Sequence, residues 1–214
     1  MHDLSNYRKS YEKSELLESA IPDDPIQLFN RWFHEAEDSG FQGEVNAMTV
    51  STIGLDGYPK SRVVLLKKFY EEGFIFYTNY NSEKGKAIAA NPSVCLSFFW
   101  PSLERQVIIK GIAEKVPATI SDNYFHSRPE GSQLGAIASN QSEIIPSREM
   151  LDQKLKEMET EYSGKEIPRP VHWGGYLVKP VEVEFWQGRA NRLHDRIRYQ
   201  TSDGMNWTMS RLAP

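Results

Sequence analysis

The chain has 214 residues, enough for one domain with a substantial core. It is 39% hydrophobic and 25% charged, with a mean hydropathy of −0.55, and its net charge of −4 excludes a general basic nucleic-acid binder. A single cysteine, Cys95, excludes internal disulfides and cysteine-cluster zinc sites. No apolar run reaches membrane-spanning length and no leader pattern opens the chain, so the expectation is a cytoplasmic protein with no membrane partner.

Residues 1–22 are polar without a steady period and read as an N-terminal arm; residues 23–214 read as a single domain. Asp24 followed by Pro25 opens a helix, with Ile26, Leu28, Phe29, Trp32, Phe33 and Ala36 as its apolar stripe and Gly40 as its stop. Strands follow at "AMTVSTIG", "KSRVVLLKKFY" and "FIFYTNY", joined by the turns "LDGYP" and "EEG". Ser82 caps a short helix in "SEKGKAIAAN", and "PSVCLSFFW" and "RQVIIKGIAEKV" are again strands. Two helical pieces near 117–127 and 131–139 precede an amphipathic helix, "SREMLDQKLKEMETEY". The tail returns to strand in "GGYLVKPVEVEFWQG", "RIRYQT" and "NWTMSRL". Six or seven strands with tight turns imply a mainly β fold with flanking helices, an antiparallel sheet closed or split as a barrel.

Phosphate-loop, dinucleotide and zinc-protease signatures are absent, and His2, His34, His126, His172 and His194 do not cluster, so no metal is expected. Four stretches carry candidate chemistry. In "SRVVLLKK", Arg62 and Lys67 are five apart and need not share a face of an ideal strand; an edge strand with charged ends is the ordinary alternative. In "FYTNYNSEKGKAI", Tyr77 and Thr78 end a strand before a helix start bearing Lys84, an arrangement suited to phosphate, or simply to a capped surface helix. In "NYFHSRPEGSQLG", Tyr124 and Arg128 sit at helical spacing with Ser132 beyond a turn: a phenol, a guanidinium and a hydroxyl that suit a phosphate clamp, or a helix end stabilised by arginine. In "EFWQGRANRLHDRIRYQ", an extended backbone would align Arg192, His194, Arg196 and Arg198 on one face, where a shared anion would relieve their repulsion and Trp186 could wall off a flat ring.

Ten motifs in order ("RVVLLK", "FYTN", "ERQV", "YFHSRP", "SQLGA", "NQS", "WGGY", "EFWQG", "NRLHDR" and the terminal "RLAP") give the chain, from about residue 8 to its end, a resemblance to the pyridoxine/pyridoxamine 5′-phosphate oxidase family. The resemblance implies an FMN-binding split β-barrel and a homodimer with FMN at the interface. By motif, Arg62 and Lys84 look like FMN-phosphate contacts, and Val63, Val64, Leu65, Leu66, Lys67, Tyr77 and Thr78 look like the flavin and ribityl wall. Gln106, Gln141, Ser142, Trp186 and Arg196 look like the remaining FMN contacts. Lys67, Tyr124, Arg128 and Ser132 look like the substrate-phosphate clamp. Arg192 and His194 look like the catalytic groups over the substrate ring, and Arg8 and Tyr11 are similar to an N-terminal lid. One position departs: Glu83 stands where the family commonly has a second basic residue before the lysine. Arg189 and Arg198 match no role.

The chemistry implied is oxidation of a phosphorylated B6 vitamer at C4′, with dioxygen as final acceptor. Two other classes fit parts of the pattern: a split-barrel flavoprotein with another substrate, which would not need Tyr124, Arg128, Ser132 and Arg192 together, and a non-catalytic flavin or pyridoxal-phosphate carrier, which turnover with peroxide release would separate. Whether His194 moves a proton is left open by these residues alone.

Overall fold

The computed structural model describes residues 2–214. Helix α1 (Pro25–Asp38) starts as its sequence directs: the Asp24 carboxylate accepts from the Ile26 amide at 2.8 Å and Pro25 occupies the first turn. It buries Ile26, Leu28, Phe29, Trp32 and Ala36. Phe29, 0% exposed, is central to the main core, packing edge-on against Phe69, Phe74 and Phe98 with ring centroids 4.9–5.1 Å apart.

Among the described residues nine strands form one antiparallel sheet: β1 (Ala47–Ile53), β2 (Pro59–Leu65), β3 (Lys68–Tyr70), β4 (Gly73–Asn79), β5 (Ser93–Trp100), β6 (Arg105–Lys115), β7 (Trp173–Gln187), β8 (Asp195–Gln200) and β9 (Thr208–Leu212). The order β2-β1-β5-β6-β7-β4-β3 puts β2 and β3 at opposite ends, yet only Leu66 and Lys67 separate them in sequence. Two residues span at most about 10 Å between their neighbours. The sheet must therefore curl until its ends meet, which gives the expected split barrel. The predicted strand "KSRVVLLKKFY" is accordingly two strands. Its break turns Leu66 into the core, where it is buried, and leaves Lys67 exposed.

β7 is the backbone of the fold. It pairs with β6 along one edge, and along the other with β4 through Val178 and with β8 from Glu182. Pro180, which has no amide to donate, sits at this change of partner. The helices α2 (Glu83–Ala90), α3 (Ala118–Ser127), α4 (Glu130–Ala138) and α5 (Arg148–Glu161) flank the barrel. A second apolar cluster of Phe125, Leu134, Ile167 and Trp173 holds α3 and α4, with Leu155 and Met158 of α5 packed against it.

Within the expected arm, Leu16 inserts into the main core at 2% exposure. Its amide donates to Asp195 at 3.1 Å, while Arg211 of β9 reaches the Leu16 carbonyl and the Glu18 carboxylate.

Candidate active site

β2, β4, the start of α2 and the α3–α4 junction enclose a cavity of about 910 Å³. Arg62, Val63, Val64, Leu65, Lys67, Tyr77, Thr78, Lys84, Tyr124, Arg128, Ser132, Gln141 and Ser142 all line it, so three of the four candidate stretches meet in one place together with Gln141 and Ser142. Leu66 is the exception within its motif, because its side chain belongs to the core.

Lys84, Arg62 and Arg128 form no ion pair with a carboxylate among the described residues. Lys84, only 7% exposed, donates to Thr78 Oγ1 at 3.1 Å. Its pKa is lowered, first by burial and then by neighbouring Arg62. Arg62 donates to Thr52 Oγ1 and to the Lys60 carbonyl, both at 2.8 Å, and burial lowers its pKa too. Arg128 presents a second cation over the Trp173 ring, 4.6 Å from its centroid. Its Nη1 is buried without a hydrogen-bond partner among the described residues. A buried, unpaired guanidinium N–H is costly, and an anion in the cavity would satisfy it.

Arg128 does not continue the α3 helix, contrary to the shared-face expectation for Tyr124 and Arg128. It caps the helix in an extended conformation (φ −75°, ψ 151°) because Pro129 follows. The predicted turn before Ser132 is also absent: Pro129 directly caps α4, and Ser132 lies within it. Both residues reach the cavity nonetheless. Tyr77, Tyr124 and Trp173 stack in near-parallel planes, with Tyr77 and Tyr124 centroids 3.9 Å apart. Burial, then Tyr124, pushes the Tyr77 phenol up to about 12, so it stays neutral. Gly175 permits this stack, since a β-carbon there would come within 2.9 Å of the Tyr77 ring. Thr78 Oγ1 donates to the Gln141 side chain at 3.3 Å.

A second group lies outside this cavity. Gln106 on β6 pairs with Trp186 on β7, which pairs with Arg196 on β8, forming a row across three strands. Gln106 is held by Ser97 at 3.2 Å, and Arg196 by Glu184 and the Ala213 carbonyl. Glu184 answers the predicted arginine repulsion: the acid comes from the adjacent strand. The supposed continuous face does not exist either. β8 begins at Asp195, whereas Asn191 and Arg192 adopt left-handed conformations (φ 56° and 61°) in a short turn. Only Arg196 and Arg198 share the strand face. Arg189, left without a role by the sequence, pairs with Asp195 at 2.9 Å and with Glu15 at 3.3 Å.

His194 Nδ1 accepts the Arg189 amide at 3.1 Å. A neutral ring so held carries its proton on Nε2. Burial, and then Arg192, lowers the His194 pKa, which favours that neutral form. Tyr11 completes the group, edge-on to Trp186 at 5.7 Å and tilted against His194 at 5.8 Å. Gly188 allows its approach; a β-carbon would meet the Tyr11 side chain at 2.8 Å. The arm is pinned next to Tyr11 by buried Glu104, whose Oε2 accepts the amides of Glu12 and Lys13 at 2.9 and 3.1 Å. Arg8 is exposed; its side chain bonds only the nearby Ser5 carbonyl among the described residues and is not brought to either group.

Sequence reasoning did not single out Lys60, Trp173 or Glu104. Lys60 was detectable: it stands two residues before Arg62, on the same strand face.

Residues 35–162 match the family model for pyridoxamine 5′-phosphate oxidase, and residues 173–214 match that for the pyridoxine 5′-phosphate oxidase C-terminal dimerisation region. The chain belongs to the pyridoxamine 5′-phosphate oxidase family. It is 75% identical over 213 residues to the pyridoxine/pyridoxamine 5′-phosphate oxidase of Flavobacterium johnsoniae, and 69% identical over 214 residues to that of Flavobacterium psychrophilum, with 100% of each chain covered in both. Among solved structures it resembles PhzG from Burkholderia lata, in complex with tetrahydrophenazine-1-carboxylic acid (TM-score 0.87, 29% identity, 95% of this chain and 100% of that one). A pyridoxamine 5′-phosphate oxidase-related, FMN-binding protein from Nostoc punctiforme shares the fold (TM-score 0.69, 14% identity, 88% of this chain and 96% of that one).

As a member of the pyridoxamine 5′-phosphate oxidase family the chain is an oxidase of that class, and a flavin is the cofactor type the family implies. Its dimerisation region spans β7, β8 and β9. Trp186, Arg192, His194 and Arg196, none of which lines the cavity, all lie in that region. No helix among the described residues is long and apolar enough to cross a membrane.

Proposed function

We propose that this oxidase converts pyridoxamine 5′-phosphate and pyridoxine 5′-phosphate to pyridoxal 5′-phosphate, using FMN, in a homodimer whose protomers each complete the other's site. The observation that carries the reading is one cavity bearing two separate cationic groups, Arg62 with Lys84 and Arg128, the last with an unpaired buried N–H. Two phosphorylated ligands in one cavity account for both groups. Charge and donor chemistry fit FMN: Lys84 and Arg62 would hold its phosphate, Thr78 and Gln141 its polar chain, and the Val63–Leu65 strand edge and Lys67 its ring system.

Residues 1–22 act as an arm on a single domain spanning 23–214. Tyr11, Trp186, His194, Arg192, Arg196 and Gln106 would close the partner's cavity, which explains why they cluster apart from it within one chain. When bound, FMN would supply the redox chemistry, taking a hydride equivalent from substrate C4′ and passing the electrons to dioxygen as hydrogen peroxide; with the amine substrate the imine product would hydrolyse to aldehyde and ammonia.

The protein's own part is binding and aim. Arg128, Tyr124, Ser132 and Lys67 hold the substrate phosphate, remote from the reacting carbon, so its binding energy fixes C4′ in place. Each charge-assisted bond there contributes roughly 1.5–3 kcal/mol. His194, neutral and with its proton on Nε2, donates a hydrogen bond to the substrate ring rather than serving as a base at that atom. The stacked aromatics and the docked arm exclude water from the ring.

Steady-state oxidation of pyridoxamine 5′-phosphate against unphosphorylated pyridoxamine tests the reading. A kcat/KM at least a hundredfold higher for the phosphorylated amine is expected from two such bonds. Equal kcat/KM for the two would contradict it.

A further inference from the structure

Lys60 has no role in the site described above, yet it lines the same cavity beside Arg62, Glu83 and Lys84. Its position on β2, two residues before Arg62, places both on one strand face. Its Nζ donates to both oxygens of Glu83, at 2.8 and 2.6 Å, where Glu83 opens helix α2. Its main-chain carbonyl accepts from Arg62 Nη1 at 2.8 Å, which holds the Arg62 guanidinium against the β2 backbone at Lys60.

An exposed lysine–glutamate pair is ordinarily worth under about 1 kcal/mol and needs no function. Three features set this pair apart. Although half-exposed, both residues line the cavity, at its rim. With both its oxygens on Lys60, Glu83 forms no ion pair with Arg62 or Lys84, and neither cation has another carboxylate partner among the described residues. The charges also balance: Lys60, Arg62 and Lys84 against Glu83 leave two positive charges, matching the roughly −2 of a phosphate monoester at neutral pH. An ammonium has three N–H donors, and two of those on Lys60 point at Glu83, which leaves one for a ligand. Glu83 unpaired at this helix start would repel a phosphate; paired with Lys60 it does not.

We propose that Lys60 is a phosphate-binding residue of the cofactor site, a cation delivered from β2 that both neutralises Glu83 and contacts the FMN phosphate. This rests on FMN occupying the cavity. The test is the dissociation constant of FMN and of riboflavin, which lacks the phosphate, measured by flavin fluorescence quenching on flavin-free protein.

Wild type should prefer FMN. Lys60→Ala should weaken FMN about tenfold or more, as the loss of one charge-assisted bond implies, while riboflavin binding stays unchanged and certifies the fold. Adding Glu83→Gln to Lys60→Ala should restore part of the lost affinity by removing the bare carboxylate, and Lys60→Arg should keep the FMN preference. A wild type with no preference for FMN over riboflavin would overturn the cofactor reading and this inference with it. A wild type that prefers FMN alongside a Lys60→Ala variant within twofold of it would overturn this inference alone. A double variant that binds FMN no better than Lys60→Ala would overturn the part assigned to Glu83.

Discussion

Replacing Glu104 with alanine should free the front of the N-terminal arm while leaving the barrel intact. Glu104 sits in the β5–β6 turn with a left-handed backbone (φ 57°) and is 2% exposed. Its carboxylate accepts the Glu12 and Lys13 amides, and Lys9 approaches it at 3.8 Å. Its main-chain carbonyl separately accepts the Gly188 amide at 2.8 Å, which the substitution leaves in place. Two charge-assisted bonds, taken at the low end of about 1.5 kcal/mol each, sum to about 3 kcal/mol, on the order of a hundredfold in the closing equilibrium of this segment. Leu16, anchored by the core, Asp195 and Arg211, stops the opening from spreading. Amide hydrogen exchange at Glu12 and Lys13 should therefore speed up about a hundredfold, with protection in β6 and β7 unchanged. Tyr11 would lose its fixed place against Trp186 and His194, raising KM more than it lowers kcat. Glu104→Gln, which keeps an acceptor oxygen, should fall between the two. Unchanged exchange at Glu12 and Lys13 in Glu104→Ala would refute the latch.

Arg128→Ala should raise KM for pyridoxamine 5′-phosphate by roughly 10–100-fold with a smaller change in kcat, as expected for a contact remote from the reacting carbon; a kcat loss without a KM change would reassign Arg128. Arg192→Ala should lower kcat as well, because Arg192 would cover the reacting ring, and a kcat equal to wild type would remove it from that position. Lys84 gives a pH signature. Its pKa lies below the ordinary 10.5, so its charge is unfavourable in the ligand-free fold, and that penalty is relieved as pH rises through the lowered value. Phosphate binding requires the charged form. The preference for FMN over riboflavin should thus decline as pH rises toward 10.5, and Lys84→Met should flatten this part of the profile; a Lys84→Met profile matching wild type would show that another group is responsible.

Much of the barrel was legible in the sequence because β-branched runs bounded by Gly and Pro mark strands without any tertiary information. Asp24-Pro25 and Gly57 likewise fix local structure by themselves. The break at Leu66–Lys67 was not legible, since "LLKK" keeps the composition of its flanks and only barrel closure demands the bend. Arg128 was legible but misread: Pro129 forbids the helix from continuing through it. The extended reading of "NRLHDRIR" failed at Asn191 and Arg192, whose left-handed turn lifts Arg192 and His194 off the strand. The motif resemblance identified residues that meet in the cavity but said nothing about Lys60, because its meaning depends on Glu83, 23 positions away. The docked arm was hidden for the same reason. Its anchors, Glu104, Asp195 and Arg211, lie far along the chain, and a lone Leu16 has no period to announce it.

The central claim is that one cavity brings FMN and a phosphorylated B6 vitamer together for oxidation at C4′. Its most direct test is anaerobic addition of pyridoxamine 5′-phosphate to the FMN-loaded protein while the visible flavin absorbance is followed. The account predicts that the flavin band bleaches, that pyridoxal 5′-phosphate accumulates, and that admitting air restores the band with release of hydrogen peroxide. A band that stays unchanged with both pyridoxamine 5′-phosphate and pyridoxine 5′-phosphate would contradict it.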